Sequence, residues 1–389
     1  MNEPIFIARQ DTLEQEILPA HWLAQYKLFG EESYTFQDKE IWKKLCMSRA
    51  AANDRDMHAE ALEEMLTTFS AEHTGKWMLL VYGMDAAVLE GLASMAAIAA
   101  NGTAMAAVAG NALLMHAIAN SETAMQAISR SQTAMQRIAN STTAMDAIGG
   151  SRIARGAVQA SPYYNSYIKE NDMAIAKLVI GFANLASAGY SGMAGVAADA
   201  TAMTAVAASS TAMTAVAASS TAMTAVAASS TAMTAVAASS TAMTAVAASG
   251  VALKAIAKAY KQTADMLKFL QAVNASDTLV KRIYNTLANA TTLFDTAQLG
   301  EQDSVTNADK WATTSAAPNA FLACACGYYN TSSNSVNVTY NGTVIAQNKT
   351  GTAQPSSVTS TNVNAITMAP STFTENDEGY LAVQKFTAK

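Results

Sequence analysis

The chain has 389 residues, 51% of them hydrophobic and only 14% charged, with a formal net charge of −6. Its lysines and arginines form no basic stripe interleaved with aromatics, so no nucleic-acid partner is expected, and the length has room for more than one domain. The cysteines, Cys46, Cys324 and Cys326, make no CXXC pair and read as buried free thiols.

The opening residues, MNEPIFIARQDTLEQE, lack a basic start followed by an apolar core, so no secretory signal is expected and synthesis is assigned to the cytosol. Residues 1–83 carry much of the charge. Ile41, Trp42 and Leu45, then Ala61, Leu62, Met65, Leu66 and Phe69, have helical spacing, which predicts a compact helical N-terminal module. Its aromatics, among them Phe6, Trp22, Tyr26 and Phe29, can pack on one another or dock a second protein. His21, His58, His73 and His116 are scattered without metal-ligand spacing, so neither a metal nor a cofactor is expected.

Residues 84–260 form a repeat array. From Thr201 the ten-residue phrase TAMTAVAASS runs five times, changed only at Gly250. Its phase reaches back through Met95, Met105, Met115, Met125, Met135 and Met145, each followed three residues later by Ile or Val. Diverged copies such as TAMQAISRSQ and TAMQRIANST accept Gln, Arg and Asn at their fourth, fifth and eighth positions but keep Ala-Met and the β-branched residue. The kept positions are related as i, i+1, i+4 and i+5, which gathers them on one side of a helix. Ser and Thr before each Ala-Met suit a helix start, and Asn120, Asn140 and Gly149 suit a stop.

One continuous helix is excluded by geometry: ten residues advance about 1000°, so the apolar stripe would slip about 80° per unit. Each unit therefore reads as a two-turn helix, too short to survive alone, that must stack on its neighbours in a solenoid with a methionine-lined seam. The sequence leaves open whether two or three helices make a coil. The register is carried by Ile153, Ile168, Ile175 and Leu178, slips by two residues before Met193, resumes at Met203 and closes with Leu253 and Ile256. No Asp, Glu, Lys or Arg occurs from Ala200 to Leu253, yet no membrane span is expected, because Ser-Ser-Thr interrupts the apolar residues in every copy.

Residues 261–303, with Met266, Leu267, Leu270, Val273, Leu279, Ile283 and Leu287 in helical spacing, are expected to form a helical cap and neck. Residues 304–389 turn β-rich. The run SVNVTY-NG-TVIAQ predicts a hairpin with a type I′ turn at Asn341-Gly342. FLACACGYY, VNAITMAP and GYLAVQKF supply further strands, so the fold class expected is mostly α, a solenoid of short helices with a small antiparallel β-sandwich at its C-terminal end. Tyr328, Tyr329 and Tyr340 are the candidate recognition residues, able to stack on a sugar or a protein. No glycine-rich phosphate loop, His-Glu-X-X-His or G-X-S-X-G motif occurs, and no enzyme is expected.

The order of helical module, short-period shaft and Ser/Thr/Asn-rich β C-terminus resembles bacteriophage tail fibres and related virion appendages, and the TAM-X-A-I/V-A phrase resembles repeats in phage tail proteins. The resemblance implies a virion structural protein, made in the host cytoplasm and assembled as a homo-oligomer. It implies docking on other virion proteins through the N-terminal region and contact with a host surface glycan or protein through the C-terminal module. Two alternatives stand beside it: a purely structural baseplate, collar or capsid-decoration protein, and an ice- or surface-binding solenoid presenting Thr201, Thr211, Thr221, Thr231 and Thr241.

Overall fold

The computed structural model describes residues 95–259, 264–305, 310–312, 320–328, 336–349, 357–368, 371–375 and 379–389. The predicted N-terminal module, residues 1–83, lies outside them. The described residues hold 18 helices followed by eight strands, and the chain divides into two compact units at Ser191/Gly192. The division falls inside the predicted array, which leaves its last decads in one unit with the sheets.

In the first unit the helices are α1 (Met95–Ala100), α2 (Gly102–Gly110), α3 (Ala112–Asn120), α4 (Glu122–Ser129), α5 (Gln132–Ala139), α6 (Thr142–Gly150), α7 (Arg152–Gln159), α8 (Tyr164–Tyr167) and α9 (Asp172–Phe182). In the second they are α10 (Met193–Ala198), α11 (Ala200–Ala208), α12 (Ser210–Ala218), α13 (Ser220–Ala228), α14 (Ser230–Ala238), α15 (Ser240–Ala247), α16 (Gly250–Lys258), α17 (Ala264–Asn274) and α18 (Asp277–Asn289). The ten-residue phase thus becomes one helix per unit. The kept positions are the buried ones: Ala202, Met203, Val206 and Ala207 in α11, and Ala124, Met125 and Ile128 in α4.

The helices are cut one residue earlier than the hydroxyls before Ala-Met suggest. Ser209 ends α11, its N–H bonding to Val206 O at 3.0 Å, and starts α12 by accepting from the N–H of Ala212 at 3.3 Å. A single extended residue (φ −90°, ψ 114°) is the whole linker, and the thread turns by 101° between α11 and α12, 100° between α13 and α14, and 97° between α15 and α16. Within each unit the recurring contacts are between a helix and the third one after it: α3 on α6, α6 on α9, α11 on α14, α12 on α15 and α13 on α16. The same cap serines tie these partners. Ser141 Oγ donates to the Ala109 carbonyl at 2.5 Å and Ser239 Oγ to the Ala207 carbonyl at 2.6 Å, a separation of 32 residues in both cases. A buried C-terminal carbonyl, otherwise an orphan of its helix, is satisfied in this way.

The sheets follow α18. Strands β1 (Phe294–Val305), β8 (Gly379–Ala388), β3 (Ala320–Tyr328) and β6 (Ala365–Met368) form one four-stranded sheet in that order. A second four-stranded sheet is made by β2 (Lys310–Ala312), β7 (Ser371–Glu375), β4 (Val336–Tyr340) and β5 (Thr343–Lys349). All pairings are antiparallel. The predicted hairpin is present, with Asn341 at φ 49° and Gly342 at φ 76°, the left-handed pair that a type I′ turn requires. The predicted helical neck is shorter than 261–303, because the chain leaves α18 at Asn289 and enters β1 at Phe294.

Helix and sheet are joined by polar bonds in an apolar setting. Buried Asn274, the last residue of α17, donates from Nδ2 to the Ile366 carbonyl at 2.7 Å and accepts from the Ile366 N–H at 3.0 Å, completing the edge of β6 as a neighbouring strand would. The Tyr284 hydroxyl of α18 donates to the Val358 carbonyl at 2.7 Å, and its ring meets Phe386 edge-on at 5.9 Å. Burial raises the pKa of this phenol, which keeps it a donor.

Candidate functional site

The three tyrosines singled out in the sequence fare differently. Tyr340 is 0% exposed at the end of β4, so its ring fills the interior and cannot serve as a stacking platform; a residue flanking a tight hairpin turn faces inward when its strand's inner face is apolar. Tyr328 is the last residue of β3, and its side chain lies outside the description, as does the whole of Tyr329. Cys324 is a buried free thiol, as its place in an apolar strand suggests.

The unusual chemistry of the first unit lies where the decads stop matching. In residues 141–150 the place of the buried seventh-position alanine is taken by Gly149, and in the next decad the place of methionine is taken by Arg155. Three decads on, where a serine should cap a new helix and bond the carbonyl of residue 149, Gly181 stands inside α9 instead. A Cβ on Gly181 would fall inside van der Waals contact of the Gly149 carbonyl oxygen and 2.8 Å from Arg155 Cδ; one on Gly149 would lie 2.9 Å from the Lys177 carbonyl oxygen and from Ser187 Oγ. The missing serine bond is replaced: Arg155 Nη1 donates to the Gly149 carbonyl at 2.7 Å. The guanidinium also lies over the Phe182 ring, 5.9 Å from its centroid, and burial followed by the charge of Arg152 lowers its pKa. Ile153, expected in the seam, is 43% exposed, because it stands at the first position of its decad, where Thr123 and Thr201 are exposed as well; Ala154 and Val158 hold the core.

Beside this contact is a buried ion pair. Lys177 Nζ, on a residue 1% exposed, reaches Asp146 Oδ1 at 2.7 Å and the Ser187 carbonyl at 2.9 Å, and Ser187 Oγ donates to the same carboxylate oxygen at 2.8 Å. The carboxylate accepts from both neighbours and is a third exposed. It is a closed structural knot that fastens the loop after α9 to α6, with no open coordination and no nucleophile beside a base.

The decad between these two features, SPYYNSYIKE, keeps its cap and loses its helix. Ser161 Oγ still bonds back 32 residues, to the Ser129 carbonyl at 2.6 Å, and Ile168 is still buried. Pro162 and the one-turn α8 put Tyr163, Tyr164 and Tyr167 half-buried against the core of the unit. Gln132 Nε2 donates to the Tyr167 hydroxyl at 2.7 Å. Burial and then Glu170 raise the pKa of Tyr164, so its hydroxyl remains protonated. Rigid rings with polar edges, held on a helix scaffold, are the chemistry of a protein or sugar contact. The sequence signal was available: three tyrosines within five residues of an otherwise alanine-rich array.

No protein-family model matches the chain, and no characterised protein matches it. Among the described residues no single helix is long and apolar enough to cross a membrane.

Proposed function

We propose that the protein is a non-enzymatic structural component of a bacteriophage virion, a tail fibre or tail appendage, whose decads form a solenoid of three short helices per coil. The observation that carries this reading is the serine bond over 32 residues, which recurs from Ser131–Ala99 to Ser249–Ala217 with an oxygen–oxygen distance of 2.5–2.6 Å. A contact set that repeats in this way adds length without adding a new site, which is what a spacer needs. In this reading the two four-stranded sheets form the sandwich-like terminal module, residues 1–83 dock on other virion proteins, and the chain assembles as a homo-oligomer. Recognition of a host surface glycan or protein then rests on Tyr328 and Tyr329 and on the tyrosines of residues 163–167, with Tyr340 left to the core.

An ice-binding role is less well served by this geometry. Thr201 and Thr211 stand on helices that turn by 101°, and Thr221 and Thr231 on helices that turn by 100°, so successive threonines do not line one flat row. The purely structural alternative, a baseplate, collar or decoration subunit, differs from the fibre reading only in lacking a receptor. Gold-labelled antibody against the full chain, imaged on phage particles released from the source cells, should mark a tail appendage; unlabelled particles would refute the virion reading. Purified full chain added to an adsorption assay should slow phage attachment, and full-rate attachment with a labelled virion would favour the structural alternative.

A further inference from the structure

The second unit changes character at the end of its decads. From Ala200 to Leu253 there is no charged residue, and then Lys254, Lys258, Lys281 and Arg282 come together around two surface clefts. The larger, about 690 Å³, runs along the outer side of α18, where Lys281, Arg282, Asn285 and Asn289 rise from an alanine floor at Ala248 and Ala290. The smaller, about 490 Å³, lies between α13 and α16 and carries Lys254 and Lys258, one turn apart, opposite Thr224.

The clefts flank one ridge. Ala290 borders the first and Leu293 the second, and both pack on Gly250, where an added Cβ would meet Ala290 Cβ at 3.0 Å and Leu293 Cδ1 at 3.1 Å. This accounts for the single departure from the repeat phrase: a serine at 250 would push the ridge out and separate the clefts. Among the described residues no carboxylate lines either cleft, and none of the four cations has an ion-pair partner.

We propose that these clefts bind an acidic polysaccharide, the lysines and Arg282 taking carboxylate or phosphate groups and Asn285, Asn289 and Thr224 taking sugar hydroxyls. Open, shallow clefts with cations alternating with amides match a chain whose charges are spaced by neutral, hydroxyl-bearing rings. A single-stranded nucleic acid fits less well, since among the described residues no aromatic side chain lines either cleft to stack a base. The inference stands on the clefts alone and does not depend on the virion reading.

The test is titration calorimetry of the full chain with polygalacturonate, phosphomannan, neutral dextran and oligothymidylate. Binding of polygalacturonate or phosphomannan, weakening with salt and absent for dextran, is expected, and the ratio of the two assigns carboxylate or phosphate. The pair Lys281→Gln/Arg282→Gln should weaken it about tenfold, and Lys254→Gln/Lys258→Gln, a second pair on exposed or half-exposed sites, should do likewise. Lys268→Gln, an exposed lysine of α17 outside both linings, should change nothing. No binding to either acidic glycan, binding that both double variants leave intact, or tighter binding of oligothymidylate would overturn the proposal.

Discussion

The decads from Thr201 to Gly250 and the stretch from Asp146 to Tyr190 solve one problem in two ways. In the first, each helix offers the same buried Ala, Met and Val, and the cap serines Ser229, Ser239 and Ser249 bond backward over 32 residues, so no residue depends on a particular neighbour. In the second, three linked substitutions and an ion pair do the same work: glycine for alanine at 149, arginine for methionine at 155, glycine for serine at 181, and the Lys177–Asp146 pair with Ser187 behind it. A repeated contact tolerates repetition; a unique contact ties its members to one another.

The sharpest way to break that contrast is a methyl group. Gly181→Ala places a Cβ against the Gly149 carbonyl with α6 and α9 already in contact, and should cost about 3 kcal/mol, the upper range of overpacking. Gly156, with open space around its would-be Cβ, should accept alanine and gain up to about 1 kcal/mol of helix propensity. Hydrogen exchange of amides in α6 and α9 reads both; equal effects from the two alanines would dissolve the distinction between the regions.

Next in size is the ion pair. Asp146→Ala leaves the Lys177 ammonium buried with one carbonyl, a loss of about 2 kcal/mol once the carboxylate's partial exposure is allowed for. Adding Lys177→Met should return most of it, because an apolar side chain removes the uncompensated charge. Urea unfolding of the single and double variants distinguishes this from simple loss of packing, in which the second substitution would only add to the first.

How far the sequence reached follows the same line. Positions that every decad keeps were legible as core, and Asn341-Gly342 was legible as a turn, because both signals are local. Which helix each one packs on was not, since it rests on which carbonyl a serine finds 32 residues away, and nothing in TAMTAVAASS marks that distance. Ile153 misled because an apolar residue there stands at the first position of its decad, the outward place that Thr123 and Thr201 hold in other copies. Strand β1, FDTAQLGEQDSV, has weak alternation and is made a strand by β8, its partner at the other end of the module. Tyr340 read as a platform because an aromatic beside a turn looks the same in sequence whether it faces in or out.

A cap serine should cost less than either change in the irregular stretch. Ser239→Ala removes both the acceptor for the Ala242 N–H, at 3.2 Å, and the donor to the Ala207 carbonyl, at 2.6 Å, a loss of about 1.5 kcal/mol. Ser229, with matching bonds to Ala232 and Ala197, should give the same value in the same denaturation experiment. Unequal values would show that the decads are less interchangeable than their shared geometry implies.

The smallest effect comes from the largest edit. Deleting residues 211–220 removes a whole helix, yet Ser239 and Ser249 still find a helix C-terminal carbonyl 32 residues before them, supplied by the decad one place earlier, and Ser229 takes the place that Ser219 held. The helices that follow keep neighbours of the same sequence, so the second unit should unfold with nearly unchanged cooperativity and lose only the helical signal of one repeat, the sheets having moved round by one helix position. Deleting residues 211–215 removes half as much chain and should do far more harm, because it brings Ala-Ala to the places where Ala-Met is buried and Thr to the place of the buried Val, and leaves the caps out of phase with their carbonyls. Circular dichroism and calorimetric melting of the two deletions set the comparison: if the five-residue cut melts no lower than the ten-residue cut, the ten-residue phase is not what holds the array together.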